Sequence, residues 1–306
     1  MRSALQCSIE KGSAAVTEVE TSPFAVVLGT AQDGGIPHAG CQKDCCESAR
    51  REPSQVRLPA CLGLVDPRSQ QRWLLDCTPE FPRQLDRLNQ ISDPAWGLSG
   101  VFLTHAHIGH YTGLIHLGRE VMGTRSLPVY AMPRMAQFLA HHEPWKQLVD
   151  QDHIRLHHLR ADEAVPLADG LEITPLVVPH RDEISETVAF MIQGPDRSVL
   201  HLPDIDDWAA WDRSLPDLLP NLDLAWVDGT FFDATELPGG RMASIPHPFL
   251  TDSMARFQSL PAELRQKIHF THLNHSNPAA RPDSAERLQV LDAGFGLAEE
   301  MAGLEL

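Results

Sequence analysis

His105, His107 and His110 place three imidazoles within six residues, directly after the apolar run 101–103. Neutral imidazole is a common ligand for zinc and similar ions, and three on a tight loop can converge on one point. The same arrangement, a polar residue closing an apolar run, recurs three times. His180 follows Val177 and Val178, Asp204 follows Leu200 and Leu202, and His272 follows Ile268 and Phe270. Strand ends along one edge of a sheet hold ligands rigidly, as a metal site requires. An ion with an open position lowers the pKa of water towards neutrality, and Asp204 would be placed to accept the proton. The chemistry implied is hydrolysis of an ester, lactone, amide or phosphodiester. Iron at the same ligands would support oxygen chemistry instead.

These loops need strands to carry them. Apolar runs at 24–28, 61–65, 73–75, 101–103, 129–132, 171–178, 187–192, 199–202, 224–227 and 267–270 predict strands. Helices are expected at 81–89, where Phe81, Leu85 and Leu88 recur at helical spacing, and at 113–122, 135–142 and 249–260. Another is expected to begin at 208–211. No internal repeat and no Ser/Gly linker divides the chain. Residues 23–306 are therefore expected to form one domain behind a flexible lead-in of residues 1–22. Strand-rich blocks with helices between them predict two sheets covered outside by helices, rather than one doubly wound sheet.

The 306 residues are 42% hydrophobic and 22% charged, which excludes a largely disordered chain. Asp and Glu number 41 against 25 Lys and Arg, a formal charge of −16. Such a chain repels phosphate backbones, so a small-molecule substrate is expected and nucleic acid is not. No apolar run reaches the length of a membrane span, so no membrane association is expected. Residues 1–22 lack the apolar block of a secretory signal, which predicts a cytoplasmic protein. A homodimer is the default assembly. Three of the cysteines, Cys41, Cys45 and Cys46, crowd into six residues. Adjacent cysteines make a poor disulfide framework, and metal binding in a reducing compartment fits them better.

The order of these motifs resembles the metallo-β-lactamase fold superfamily. Its pattern is His-x-His-x-Asp-His after a strand, then a single His, an Asp and a last His. The resemblance runs from residue 24 to about residue 300 and implies an α/β fold, a four-layer αββα sandwich. It implies a first metal site of His105, His107 and His180, a second containing His110 and His272, and Asp204 bridging the two. The implied cofactor is Zn2+, one or two ions, with Fe or Mn as alternatives. Asp76 matches the family's Asp that steadies the metal loop from behind. Gly109 departs from the pattern, because it stands where the family has an Asp ligand. Either one ion is held tightly and the second is weak or absent, or another group such as His275 or a water fills in. The first outcome is expected.

The stretch 28–35 with Pro37, Gly40 and Cys41, and the stretch 271–278, resemble the branch containing pyrroloquinoline quinone biosynthesis protein B. The cysteine cluster is also similar to that of the phosphonate-pathway cyclic phosphodiesterases. In both branches cysteines near the N-terminus hold a structural zinc. That implies Cys41, Cys45 and Cys46 as its ligands here, with His38 a possible fourth.

Around the centre, Asp204, His247 and His275 form the expected catalytic set. His247 lies between two prolines, and either histidine could act as a proton donor. Asp228, at a strand end, is expected to support the metal edge. Tyr111, Arg181 and Asn274 are expected substrate contacts, and Asn274 with Asn277 is also expected to pin the last loop. The fold hosts hydrolases, oxidoreductases and nucleases, so it does not choose among them. The leading expectation is a metal-dependent hydrolase. The alternatives are an iron-dependent oxidoreductase related to pyrroloquinoline quinone biosynthesis and a non-catalytic metal-binding protein.

Overall fold

Alternation along single strands builds the layers. In the computed structural model, which describes residues 22–236 and 245–306, the first strand is β1 (Phe24–Gly29). Phe24, Val26 and Leu28 pack outward among Phe81, Leu88 and Leu139, while Ala25 and Val27 point to the opposite face. Successive strand side chains point to opposite faces, so a strand buried throughout must be covered on both. Ser22 aside, the expected lead-in lies outside the described residues.

The first sheet continues with β2 (Cys61–Asp66), β3 (Gln71–Leu75), β4 (Gly100–Phe102), β5 (Leu127–Ala131) and β6 (Ile154–His158). The second comprises β7 (Val165–Ala168), β8 (Leu171–Val177), β9 (Val188–Gln193), β10 (Ser198–Leu202), β11 (Leu224–Asp228), β12 (Ile268–Thr271) and β13 (Gly296–Leu297). β14 (Gly303–Glu305) then returns to pair with β1. Between the sheets, Leu62, Trp73 and Phe102 meet Ile173, Phe190 and Trp226. Outside the second sheet, Leu200, Val227 and Phe270 face Leu250 and Phe257 of a helix and Val290 of another. Three apolar layers thus separate four structural ones, giving the αββα sandwich.

Helices α1 (Asp44–Arg51), α2 (Phe81–Ile91), α3 (Ile108–Tyr111), α4 (Pro133–His141) and α5 (Trp145–Asp150) follow strands of the first sheet. In the second half come α6 (Leu215–Leu218), α7 (Leu250–Phe257), α8 (Ala262–Arg265) and α9 (Ala285–Asp292). Among the described residues no helix is long and apolar enough to cross a membrane.

Each sheet is antiparallel at one side and parallel at the other. β3 to β6 run parallel, as do β10 to β13. Two antiparallel pairings make β1 parallel to β3 and β8 parallel to β10. The chain therefore leaves β1, β3, β4, β8, β10, β11 and β12 towards two facing sheet edges, where the metal motifs lie.

The differences from expectation are local. The helix expected at 113–122 is a four-residue α3 followed by a 3-10 turn over 112–117. Residues 208–211 form turns, and the helix begins only at Leu215. Strands β6 and β7 were not foreseen. Both lie at sheet edges, and their half-exposed residues, such as Arg155 and His157, carry little apolar alternation.

Candidate metal centre

The ligand loops are fixed by two buried carboxylates. Asp76, after β3, accepts hydrogen bonds from Thr104 N at 2.8 Å and Thr104 Oγ1 at 2.9 Å, and so clamps the start of the histidine loop. Asp228 ends β11 and does the same for the other sheet, accepting from Ile205 N at 3.0 Å and Thr230 N at 2.9 Å. Asp76 has φ 68° and His272 has φ 59°. That left-handed backbone is costly for such residues and persists where the surroundings over-determine it.

The imidazoles are oriented from behind. Nδ1 of His110 meets Asp76 Oδ2 at 2.7 Å, that of His180 meets Asp206 Oδ1 at 2.7 Å, and that of His247 meets Asp228 Oδ2 at 2.6 Å. His105 and His272 use threonine hydroxyls, Thr104 Oγ1 at 2.9 Å and Thr230 Oγ1 at 3.0 Å. Each of these five rings therefore turns Nε2 inward, as metal-ligating histidines do when a partner fixes the tautomer. His107 turns Nδ1 inward, 2.7 Å from His105 Nε2 and 3.1 Å from His180 Nε2.

Asp204 stands between two ligand sets. Its Oδ1 lies 3.6 Å from His180 Nε2. Its Oδ2 lies 3.3 Å from His110 Nε2 and 3.5 Å from His272 Nε2. His105, His107 and His180 make one convergent group, and Asp33, His110 and His272 make a second. Asp33 Oδ1 is 3.3 Å from His110 Nε2 and 3.7 Å from His272 Nε2.

The donor set fits a divalent ion. Nε2 of His110, His247 and His272 and Oδ2 of Asp204 are buried with no hydrogen-bond partner among the described residues. Buried polar atoms left unpaired cost about 1–3 kcal/mol each. Several of them aimed inward together are the donors a cation needs. Burial holds the His105 imidazole well below its usual pKa, with His110 adding to the effect. It pushes His107 down to about 4, helped by His180 and Arg181. Both therefore remain neutral and able to ligate. Burial alone would push the Asp204 carboxyl up, but His272, His110, His105 and His180 hold it well below the usual range.

His247 lies beside this centre, grouped with His180 and Asp204. Burial opposes its charge, yet Asp228 raises its pKa. Arg181 lies at the rim. Its main-chain N donates to Asp206 Oδ2 at 3.1 Å, and it lines a cavity of about 470 Å³ with Arg134, His180 and Trp211.

Two expected substrate contacts and one expected proton donor are engaged elsewhere. Tyr111 faces the core, edge-on to Phe138 and Trp145, because α3 turns that position inward. Asn274 pins its own loop, with Nδ2 donating to Ser276 Oγ at 2.7 Å and Oδ1 accepting from His275 N at 2.9 Å. His275 points away from the centre to the cysteines, with Nδ1 3.5 Å from Cys46 Sγ and 3.7 Å from Cys45 Sγ. It takes the place expected of His38, whose ring stacks on His275 at 4.5 Å and whose main-chain N donates to Cys46 Sγ at 3.2 Å. The cause is long-range. Leu273 N bonds Thr30 O and Gln32 N bonds Leu273 O, both at 2.9 Å, which lays the 272–277 segment against the loop after β1. Burial and the neighbouring Cys46 and Cys41 sulfurs push the Cys45 thiol up to about 12. A bound cation would favour the thiolate forms of Cys41, Cys45 and Cys46 together.

Sequence reasoning passed over Asp33 and Asp206. Asp206 could have been found two residues beyond Asp204. Asp33 carried only a weak signal, a carboxylate before the glycine pair Gly34 and Gly35 in a chain whose metal motif lacks one.

Two facing sheet edges that gather histidines and an aspartate define a class of protein. Residues 71–272 match the beta-lactamase superfamily domain, and the chain belongs to that superfamily. It is similar to Coenzyme PQQ synthesis protein B of Methylorubrum extorquens, 25% identical over 308 residues, covering 92% of this chain and 99% of that one. The protein of the same name from Xanthomonas campestris pv. campestris is 24% identical over 313 residues, covering 92% and 98%. Among solved structures, Zn2+-bound PqqB from Methylobacterium extorquens matches with a TM-score of 0.75 at 22% identity, over 92% of this chain and 100% of that one. A diphosphatase from the PhnP family matches at 0.65 and 23% identity, over 93% and 97%. The fold is that of the metallo-β-lactamases.

Proposed function

We propose that this protein is a metal-dependent hydrolase of a small-molecule ester, lactone, amide or phosphodiester. The observation that carries the reading is the convergence of His105 Nε2, His107 Nδ1 and His180 Nε2 beside Asp204. Those four residues would hold the ion, and Zn2+ suits their neutral imidazoles and carboxylate. When bound, such an ion acidifies a water and polarises the oxygen of the scissile bond.

The chain's own groups supply the rest. Asp204, held ionised by the histidines around it, would orient the attacking water. His247 keeps Nε2 free, and Asp228 behind it favours the protonated ring. It is therefore suited to protonate the leaving group. Arg181 at the rim would orient substrate. Cys41, Cys45, Cys46 and His275 would hold a separate structural zinc.

The test is turnover of aryl ester and bis-aryl phosphodiester probes by protein as purified, after chelation and after zinc is restored. The expected result is loss on chelation, recovery with zinc, and at least about a 100-fold fall in His247→Ala, the scale of general-acid catalysis. Turnover that survives chelation overturns the reading. A second reading is favoured by the near full-length similarity to Coenzyme PQQ synthesis protein B. It is an iron-dependent oxidoreductase on the same ligands. Iron retained in place of zinc, with oxygen uptake on turnover, would select it.

A further inference from the structure

We propose that Asp33 is the carboxylate ligand of a second metal position, replacing the side chain that Gly109 lacks. The inference rests on the metal centre described above and adds to it a second ion with its own ligand set.

Space at residue 109 is the first constraint. A Cβ built on Gly109 would lie 2.2 Å from Asp33 Oδ1, 2.7 Å from its Cγ and 2.5 Å from its Cα. No side chain fits at 109 while Asp33 stands where it does. The carboxylate from the loop after β1 thus fills the volume that the motif's own side chain would need. A side chain at 109 and the Asp33 carboxylate are alternatives for one place.

The rest of the set agrees. Asp33 Oδ1 approaches His110 Nε2 and His272 Nε2, and neither nitrogen makes a hydrogen bond to it or to any other described group. Three ligand atoms facing one another at 3.3 and 3.7 Å from Asp33 Oδ1 form a cluster able to hold an ion. Asp204 Oδ2 completes the group on the other side. Two carboxylates, Asp33 and Asp204, then offset the charge of two dications, which imidazoles alone cannot do. The Asp33 side chain is 42% exposed, so the position is open to ions from solvent.

Asp33 is also held in place. Gln32 N and Leu273 N bond across to Leu273 O and Thr30 O, tying its loop to the strand end that carries His272. Gly35 N closes a turn on Gln32 O at 2.8 Å, with Gly35 at φ +69°. A ligand that arrives from a different segment needs this kind of support.

The test is titration of metal-depleted protein with Co2+, read by calorimetry and visible absorption, on wild type, Asp33→Asn, Gly109→Ala and His272→Ala. Wild type is expected to bind one more ion per chain than His272→Ala. Asp33→Asn, nearly isosteric, is expected to lose that same ion or bind it about 100-fold more weakly, the upper end of what even supporting residues cost. Gly109→Ala is expected to do likewise without removing any ligand, because its methyl displaces Asp33. The ion at His105, His107 and His180 and any ion on the cysteines remain in all four proteins. An Asp33→Asn protein with the full complement at wild-type affinity overturns the proposal and leaves the hydrolase reading intact. A wild type that binds no ion at the histidines overturns both.

Discussion

Asp76 shows how much of this centre depends on single side chains. It accepts from Thr104 N, Thr104 Oγ1 and His110 Nδ1, all buried. Asp76→Ala strands those donors and is expected to destabilise the fold by about 3 kcal/mol. It should also weaken metal binding about 10- to 100-fold. Denaturant unfolding and metal titration check both, and an unchanged midpoint with unchanged affinity would contradict the account. At this scale the sequence was informative wherever a ligand closes a strand. His105, His107, His110, His180, Asp204 and His272 could all be picked out because each follows an apolar run, and the structure brings all six together. Asp33 could not, since neither its type nor its spacing separates it from an ordinary turn carboxylate, and Asp206 had only its place two residues beyond Asp204 to mark it. His275 was misplaced for a related reason. Its position depends on which loop the 272–277 segment crosses, and nothing local encodes that.

At the scale of elements, that segment is the joint of the molecule. Leu273 ties it to the loop after β1, His275 meets the cysteines, and Ser276 Oγ donates to Glu236 Oε2 at 2.6 Å. Burial pushes the Glu236 carboxyl up to about 7, against the hydrogen bonds from Ser276 and Phe232 N. An unfolded glutamate titrates near pH 4.3, so between there and pH 7 the native state keeps a proton that the unfolded state has lost. Stability therefore falls as pH rises through that window, and the penalty is complete above it. Glu236→Gln should remove this part of the dependence and gain on wild type more at pH 8 than at pH 4. Urea unfolding at the two pH values checks it, and an equal difference at both would contradict it. Cys46→Ser, in turn, should abolish the thiolate-to-cobalt absorption of Co2+-loaded protein and lower Tm. Absence of that absorption from Co2+-loaded wild type would contradict an ion on the cysteines. The turn-rich stretch after β10 and the edge strands were illegible because they bury little, and burial is what imprints period on a sequence.

At the scale of the molecule, the centre spans both sheets. Asp33, His105, His107 and His110 come from the loops of β1 and β4, whereas His180, Asp204 and His272 come from those of β8, β10 and β12. An ion shared among them would add to the joints between the two halves, which already meet through apolar side chains such as Phe102 and Phe190 and through backbone hydrogen bonds such as Val188 N to Thr104 O at 3.1 Å. Zinc at a thousandfold excess over its dissociation constant would stabilise the fold by about 4 kcal/mol. That corresponds to a Tm roughly 6 °C above the chelated protein, and scanning calorimetry with and without chelator checks it. Equal Tm values would contradict it. The two-sheet architecture was legible because strand-rich blocks alternate with few helices, whereas the pairing of β14 with β1 was not, since an exposed three-residue strand leaves almost no signal. The most direct test of the central claim is anomalous diffraction at the zinc edge from crystals grown with zinc. The account predicts a peak bounded by His105 Nε2, His107 Nδ1, His180 Nε2 and Asp204. A map with zinc at the cysteines and no peak among those histidines would contradict it.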